Sequence, residues 1–410
     1  IFLVGSLLCA LAPSFWALVA FRAVQGIGAG GLMVLALAII ADVVSPRERG
    51  RYQGLFGALF GMASVVGPLL GGFITDRWSW HWVFVINLPF GLAALVITGM
   101  TLPPSRRRAT TSIDWPGAAL LTVLIKSVVL ITEWGGNRFA WGSPTMFVLI
   151  AVALAALASF IAVERRSVEP LLPLRLFRTR TFTLATVLAL LVGLAMYSVV
   201  NTLPQYLQTV NGVSATNSGL LLVPLMIGVV TASITAGQLV SRTGRYRMFP
   251  IAGMTIATIG FICLGTLDGS SGRAEITLFM VITGIGIGQI VSIVVIATQN
   301  EVPAGDLGVA TASVSFFRSI GGSVGFAFFG ALFTSRIGRD LLTLEELDAL
   351  PVAARQDYVD HFGSAVGGTF RLIVPLLVVG VMLALCLRER PLREQTHHVS
   401  PSPVGEPVAG

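Results

Sequence analysis

Apolar residues run through this chain in long blocks separated by short polar connections. Crossing a hydrocarbon core takes roughly 20 helical residues. Blocks of that kind lie near 15–43, 52–75, 80–102, 115–134, 144–163, 181–203, 215–240, 248–267, 275–299, 308–334 and 369–388, and a shorter one covers 1–11. The pattern predicts twelve membrane spans, the first incomplete. Helices are the expected element, because lipid offers no partner for the open edge of a strand.

Composition agrees. The chain is 54% hydrophobic and 11% charged, with a mean hydropathy of +0.84, whereas soluble domains carry about a quarter charged residues. Arginine in the connections sets an orientation. One alternate set of loops holds 17 arginines, in the groups 47–51, 106–108, 165–180, 242–247 and 388–393; the other holds 7. The first set, and with it the C-terminus, is expected in the cytoplasm. The net charge of +7 then reflects basic inner loops and not a nucleic-acid partner. Cys9, Cys263 and Cys386 all lie in apolar runs with no neighbour at metal-ligand spacing. The sequence shows no metal or cofactor site and no Ser/His/Asp set, so enzyme chemistry is not expected.

Shifted by 258 residues, the chain matches itself weakly. Gly26, Gly28 and Gly30 fall on Gly284, Gly286 and Gly288, Glu48 on Asp306, Gly67 on Gly325 and Gly72 on Gly330. Parallel repeats of this kind occur in secondary transporters built from two helical bundles. The counterpart of GQLVSRTGRYR, 237–247, would fall before residue 1. The expectation is therefore a partial N-terminal bundle at 1–103, about two spans short, and a two-span insert with its preceding loop at 104–165. A cytoplasmic linker at 166–180, a six-span bundle at 181–390 and a cytoplasmic tail at 391–410 follow.

Several motifs point to one family: FRAVQGIGAGG at 21–31, GALFGMASVVGPLLGG at 57–72, WSWHWVFVINLPFG at 78–91, PLRLFRTRTF at 173–182, PQYLQ at 204–208 and FFRSIGGSVG at 316–325. In this order they resemble the major facilitator superfamily, and more closely its fourteen-span drug:proton antiporters of the EmrB/QacA type. The resemblance implies an all-α fold with two bundles and a two-helix insert, about 12 of 14 spans being present. It also implies proton-coupled export of hydrophobic, often cationic, drugs through a bacterial inner membrane, driven by the proton gradient without a cofactor. Two alternatives stay open: an exporter dedicated to one metabolite or antibiotic, and a non-transporting fragment.

Individual residues carry the chemistry. A charge near the bilayer centre costs about 2.5–3.5 kcal/mol on insertion scales, so Arg22 should face the protein interior beside a partner. Its repeat counterpart is Met280, so the fold does not demand a charge there. Gln25, one turn on, can bond the same site. In the family this arginine is implicated in proton transfer; the other reading is a structural arginine reaching for the interface. Gly57, Gly61, Gly67, Gly71 and Gly72 form a flat face for close helix packing, and Pro68 can kink the span. The resemblance makes this stretch the antiporter motif. Arg242, Gly244 and Arg245 form a cytoplasmic turn suited to a gate latch, whereas Arg247 reads as plain inside-positive charge. Asp42 takes a gate role by resemblance. Asn201, Gln205, Gln208, Gln289, Gln299, Asn300 and Arg318 are candidate cavity residues. Lys126 lies mid-span, on the same helix face as Glu133, and reads as belonging to a peripheral helix.

Overall fold

A computed structural model describes residues 1–44, 46–101, 114–136, 138–167, 170–213, 220–337, 346–347 and 349–391. The described part of each predicted span is mainly helical. The first half holds α1 (Phe2–Ala10), α2 (Phe15–Val43), α3 (Pro46–Arg77) and the near-continuous pair α4 (Trp82–Val85) and α5 (Asn87–Thr101). Next come α6 (Trp115–Trp134) and α7 (Pro144–Glu164). The second half holds α8 (Arg180–Asn211), α9 (Val223–Thr243), α10 (Met248–Leu264), α11 (Arg273–Glu301), α12 (Leu307–Ile337) and α13 (Val352–Leu385). Among the described residues, eight helical stretches are long and apolar enough to cross a membrane, and α10 is a shorter apolar helix. The chain is an all-α, multi-pass membrane protein.

Local chemistry sets the helix ends. The Ser14 hydroxyl, the Asp114 carboxylate and the Ser143 hydroxyl accept from the backbone N–H of Ala17, Gly117 and Met146, capping α2, α6 and α7. Gly212 and Gly244 stop α8 and α9 in the left-handed conformation, at φ 61° and 70°. The last helix departs from the sequence pattern. Its apolar run begins at 369, yet α13 starts at Val352 and continues unbroken for 34 residues. In the sequence, 335–368 is a polar connection between two apolar blocks. Its part from Val352 onward is instead the polar first half of α13, since Ala, Arg, Gln and Asp extend a helix beyond lipid without penalty from burial; residues 338–345 and 348 lie outside the described ones.

The main core lies in the second half, where residues of α8, α9, α10, α11 and α13 form one buried apolar cluster. Helix α11 is wedged between α9 and α10. Cβ atoms at Gly284 and Gly288 would collide with the α9 backbone at Leu225 and Val229, and one at Gly286 with Ala257 of α10. Helix α3 packs on α9 near its own start: Gly54 lies against the Ser233 carbonyl, and the Arg51 N–H donates to Ser241 Oγ at 3.1 Å. The hairpin of α6 and α7 reaches the second half through contact of α6 with α12.

Candidate functional site

Two glycines bring α1 and α2 together: Gly5 lies against the Gln25 backbone and Gly28 against Phe2. That approach places the buried Ser6 opposite Gln25, only 5% exposed. Gln25 Nε2 donates to Ser6 Oγ at 2.6 Å, and Arg22 Nη1 donates to Gln25 Oε1 at 2.9 Å. The Cys9 thiol reaches the same Oε1 at 3.9 Å. From the start of α5, Asn87 Nδ2 donates to Ser6 Oγ at 3.3 Å. The Arg22 guanidinium lies 5.5 Å from the Phe84 ring centroid, a cation–π distance. Three helical segments thus converge on one polar cluster in which every partner of Arg22 named here is neutral. Arg22 itself is exposed, against the expectation that it faces the protein interior, because its bond to the buried Gln25 leaves the rest of the guanidinium open. The cluster thus holds a positive charge at the edge of these helices, where it would favour the ionised form of an approaching acid.

A crevice opens between α6, α8 and α12. One compartment, of about 460 Å³, is lined by Thr132, Glu133, Tyr197 and Asn201. A second, of about 270 Å³, is lined by Leu124, Ile125, Val128, Phe316 and Ile320. Val129, Ser319 and Ser323 line both, so the two adjoin. Of the predicted cavity residues Asn201 lines this crevice. Gln205 is exposed and Gln208 half-buried further along α8. Half-buried Gln289 lies beside Gly253 of α10. Arg318 is half-buried, its carbonyl against Gly193. Gln299 and Asn300 belong elsewhere: Gln299 Nε2 donates to Thr311 Oγ1 at 2.8 Å, and Asn300 Nδ2 to the Pro391 carbonyl at 3.4 Å.

Those last two belong to a cluster at the opposite helix ends. Arg390 pairs with Glu301 at 3.0 Å, and the buried Tyr246 phenol donates to the Arg388 carbonyl at 3.2 Å. Burial pushes the Tyr246 phenol above its ordinary value. Arg247, expected to be plain loop charge, donates to the Leu385 carbonyl at 2.9 Å and so caps the end of α13. Arg242 and Arg245 are exposed, and Gly244 supplies the left-handed turn between them. Gly67, Gly71 and Gly72 have no atom within 4 Å of a built Cβ. The surroundings of Asp42, Gly57, Gly61 and Pro68 lie outside the described residues, beyond their places in α2 and α3. Lys126 is exposed on α6.

Residues 1–326 match the family model described as Major Facilitator Superfamily. The chain belongs to the major facilitator superfamily. Among its relatives is an uncharacterized MFS-type transporter of Mycobacterium tuberculosis (strain ATCC 25618 / H37Rv), 40% identical over 96% of this chain and 59% of that protein. Another is the multidrug transporter protein MdtP of Bacillus subtilis (strain 168), 38% identical over 86% of this chain and 66% of that protein. The chain thus spans about three fifths to two thirds of the length of these relatives. A solved superfamily structure, the proton:xylose symporter XylE bound to 6-bromo-6-deoxy-D-glucose, shares the fold with a TM-score of 0.60 at 15% identity. That match covers 96% of this chain and 80% of that one. Within this superfamily member, sequence reasoning found Arg22 and Gln25 but not their partners. Asn87 stood inside a quoted motif without a role, and Ser6 was one small polar residue in an apolar run.

Proposed function

We propose that this protein is a secondary transporter of the fourteen-span drug:proton antiporter group. It exports hydrophobic, often cationic, drug-like molecules by alternating access, in exchange for protons. The membrane is the bacterial inner membrane, the C-terminus is cytoplasmic, and the proton gradient is the energy source, with no cofactor. The observation that carries this reading is the Arg22 cluster. An arginine within an apolar run, bonded to the buried Gln25 amide, is costly to keep in lipid for packing alone, and the repeat places Met280 at the equivalent position. The 38% identity to a protein named a multidrug transporter supports the substrate class.

Inverted membrane vesicles test it. With an imposed inward-acid pH gradient, the protein should accumulate ethidium, and a protonophore should abolish the accumulation. Arg22→Ala should lower the rate at least tenfold at unchanged membrane abundance. Uptake that ignores the protonophore, or an Arg22→Ala variant running at the wild-type rate, would refute the coupling.

A further inference from the structure

We propose that the crevice between α6, α8 and α12 binds an organic cation with an apolar body, and that the Glu133 carboxylate takes the charge. The proposal rests on the export reading above and gives it a site outside the Arg22 cluster. Three observations converge on it.

The first is shape. The larger compartment, about 460 Å³, falls in the range of drug-sized sites, roughly 300–1,000 Å³, and the smaller, about 270 Å³, adjoins it. One end is apolar, walled by Leu124, Ile125, Val128, Phe316 and Ile320. The other is polar, walled by Thr132, Glu133 and Asn201. An amphipathic molecule matches this division, its body among the aliphatic side chains and its head beside Glu133.

The second is the direction of the hydrogen bonds. Thr132 Oγ1 donates to the Val128 carbonyl at 2.9 Å, Ser319 Oγ to Ser315 O at 3.0 Å and Ser323 Oγ to Ser319 O at 3.2 Å. Asn201 Nδ2 donates to the Tyr197 carbonyl at 2.8 Å. Each hydroxyl has spent its one proton on its own helix, so its oxygen can only accept. The Asn201 amide likewise has its carbonyl oxygen to offer. A wall of acceptors suits a cation and repels an anion.

The third is charge. Among the described lining residues, Glu133 is the carboxylate of the crevice. It is exposed near the end of α6, within reach of a ligand entering the crevice. The Tyr197 ring adds an aromatic face to the polar compartment and Phe316 one to the apolar compartment, each attractive to a cation. Because α6 supplies Glu133, Thr132 and the deeper apolar wall, the site exists only while the insert is docked on α12.

The test is tetraphenylphosphonium binding to the purified full chain in phosphatidylglycerol nanodiscs, measured by equilibrium dialysis. Glu133→Gln should weaken binding at least tenfold, and Glu133→Asp should restore most of it. Val129→Trp, at an exposed position shared by both compartments, should obstruct the crevice and weaken binding by a similar factor. Triphenylphosphine oxide, a neutral probe, should bind wild type and Glu133→Gln equally. Tetraphenylphosphonium affinities within twofold of wild type for both Glu133→Gln and Val129→Trp would overturn the proposal. So would a dependence on Glu133 that disappears once phosphatidylethanolamine is added, which would assign the crevice to a lipid ammonium headgroup. Binding that depends on Glu133 without any ethidium export would leave the crevice standing and remove the export reading. Proton-driven export with binding indifferent to Glu133 would do the reverse.

Discussion

Gln25 is held at both ends of its amide, by Arg22 and Cys9 on the oxygen and by Ser6 on the nitrogen. Replacing it with Leu keeps the bulk but strips a partner from Arg22 and from Ser6. Leaving buried polar groups unsatisfied costs about 1–3 kcal/mol, so Gln25→Leu should lower the thermal midpoint by several degrees in detergent, read by differential scanning fluorimetry. Ser6→Ala should cost less than Gln25→Leu, because it breaks bonds to two neutral amides and leaves the Arg22–Gln25 bond intact. Arg22 was legible in the sequence because a charge inside an apolar run is rare and expensive. Its neighbours were not. A serine or asparagine is an ordinary helix residue, and only the close approach at Gly5 and the start of α5 beside it turn Ser6 and Asn87 into partners. Glu133 was visible as a charge, but its crevice depends on how α6 docks, which periodicity within one helix does not report.

Helices read from apolar blocks were accurate where both ends meet the lipid boundary, as in α6 and α7. They were short where a helix continues into water, because hydropathy measures the length in lipid and not the length of the helix. The glycine repeat was legible too, but its two copies do different work. In α11, Gly284 and Gly288 are pressed against α9, whereas at their α2 counterparts, Gly26 and Gly30, a built Cβ meets nothing within 4 Å. Gly284→Ala should therefore force α9 and α11 apart and reduce membrane accumulation severalfold, measured by quantitative blotting. Gly26→Ala should be tolerated in the same blot, since alanine favours a helix by up to about 1 kcal/mol over glycine. The loop joining α10 and α11 is fixed differently. Ser270 donates to the Asp268 carboxylate from both side chain and backbone at 2.8 Å, and these bonds hold its pKa below the ordinary 3.8. A lowered carboxylate pKa stabilises the fold above the unfolded value and ceases to do so as pH falls through the folded one. Hydrogen exchange at the Ser270 amide should thus show protection that is level from neutrality to about pH 4 after correction for intrinsic rates, then declines. In Asp268→Asn that decline should be absent.

At the scale of the molecule, the connection between α7 and α8 is tied to the second half by burial of Leu176 against Val302, Leu307 and Ala310 and by a forked ion pair. Arg175 bonds both oxygens of Asp306, at 3.0 and 2.7 Å, in the loop between α11 and α12. Asp306→Asn should cost at most about 1 kcal/mol, since Arg175 is largely exposed. It should nonetheless raise the rate of trypsin cleavage near Arg175 severalfold, and exchanging the two residues should restore the wild-type rate. The far end of the chain offers something more useful. Thirty-four residues make α13 about 51 Å long, against roughly 30 Å of hydrocarbon. Val352 at its start is 86% exposed, and the native Cys386 just past its end is exposed as well. One helix, continuous through Pro375, therefore carries an address at each end. In intact cells a bulky impermeant maleimide should label Val352→Cys and leave Cys386 untouched until the membrane is opened. A single helix then serves as the protein's own surveying pole, from which the sidedness of every other loop can be measured.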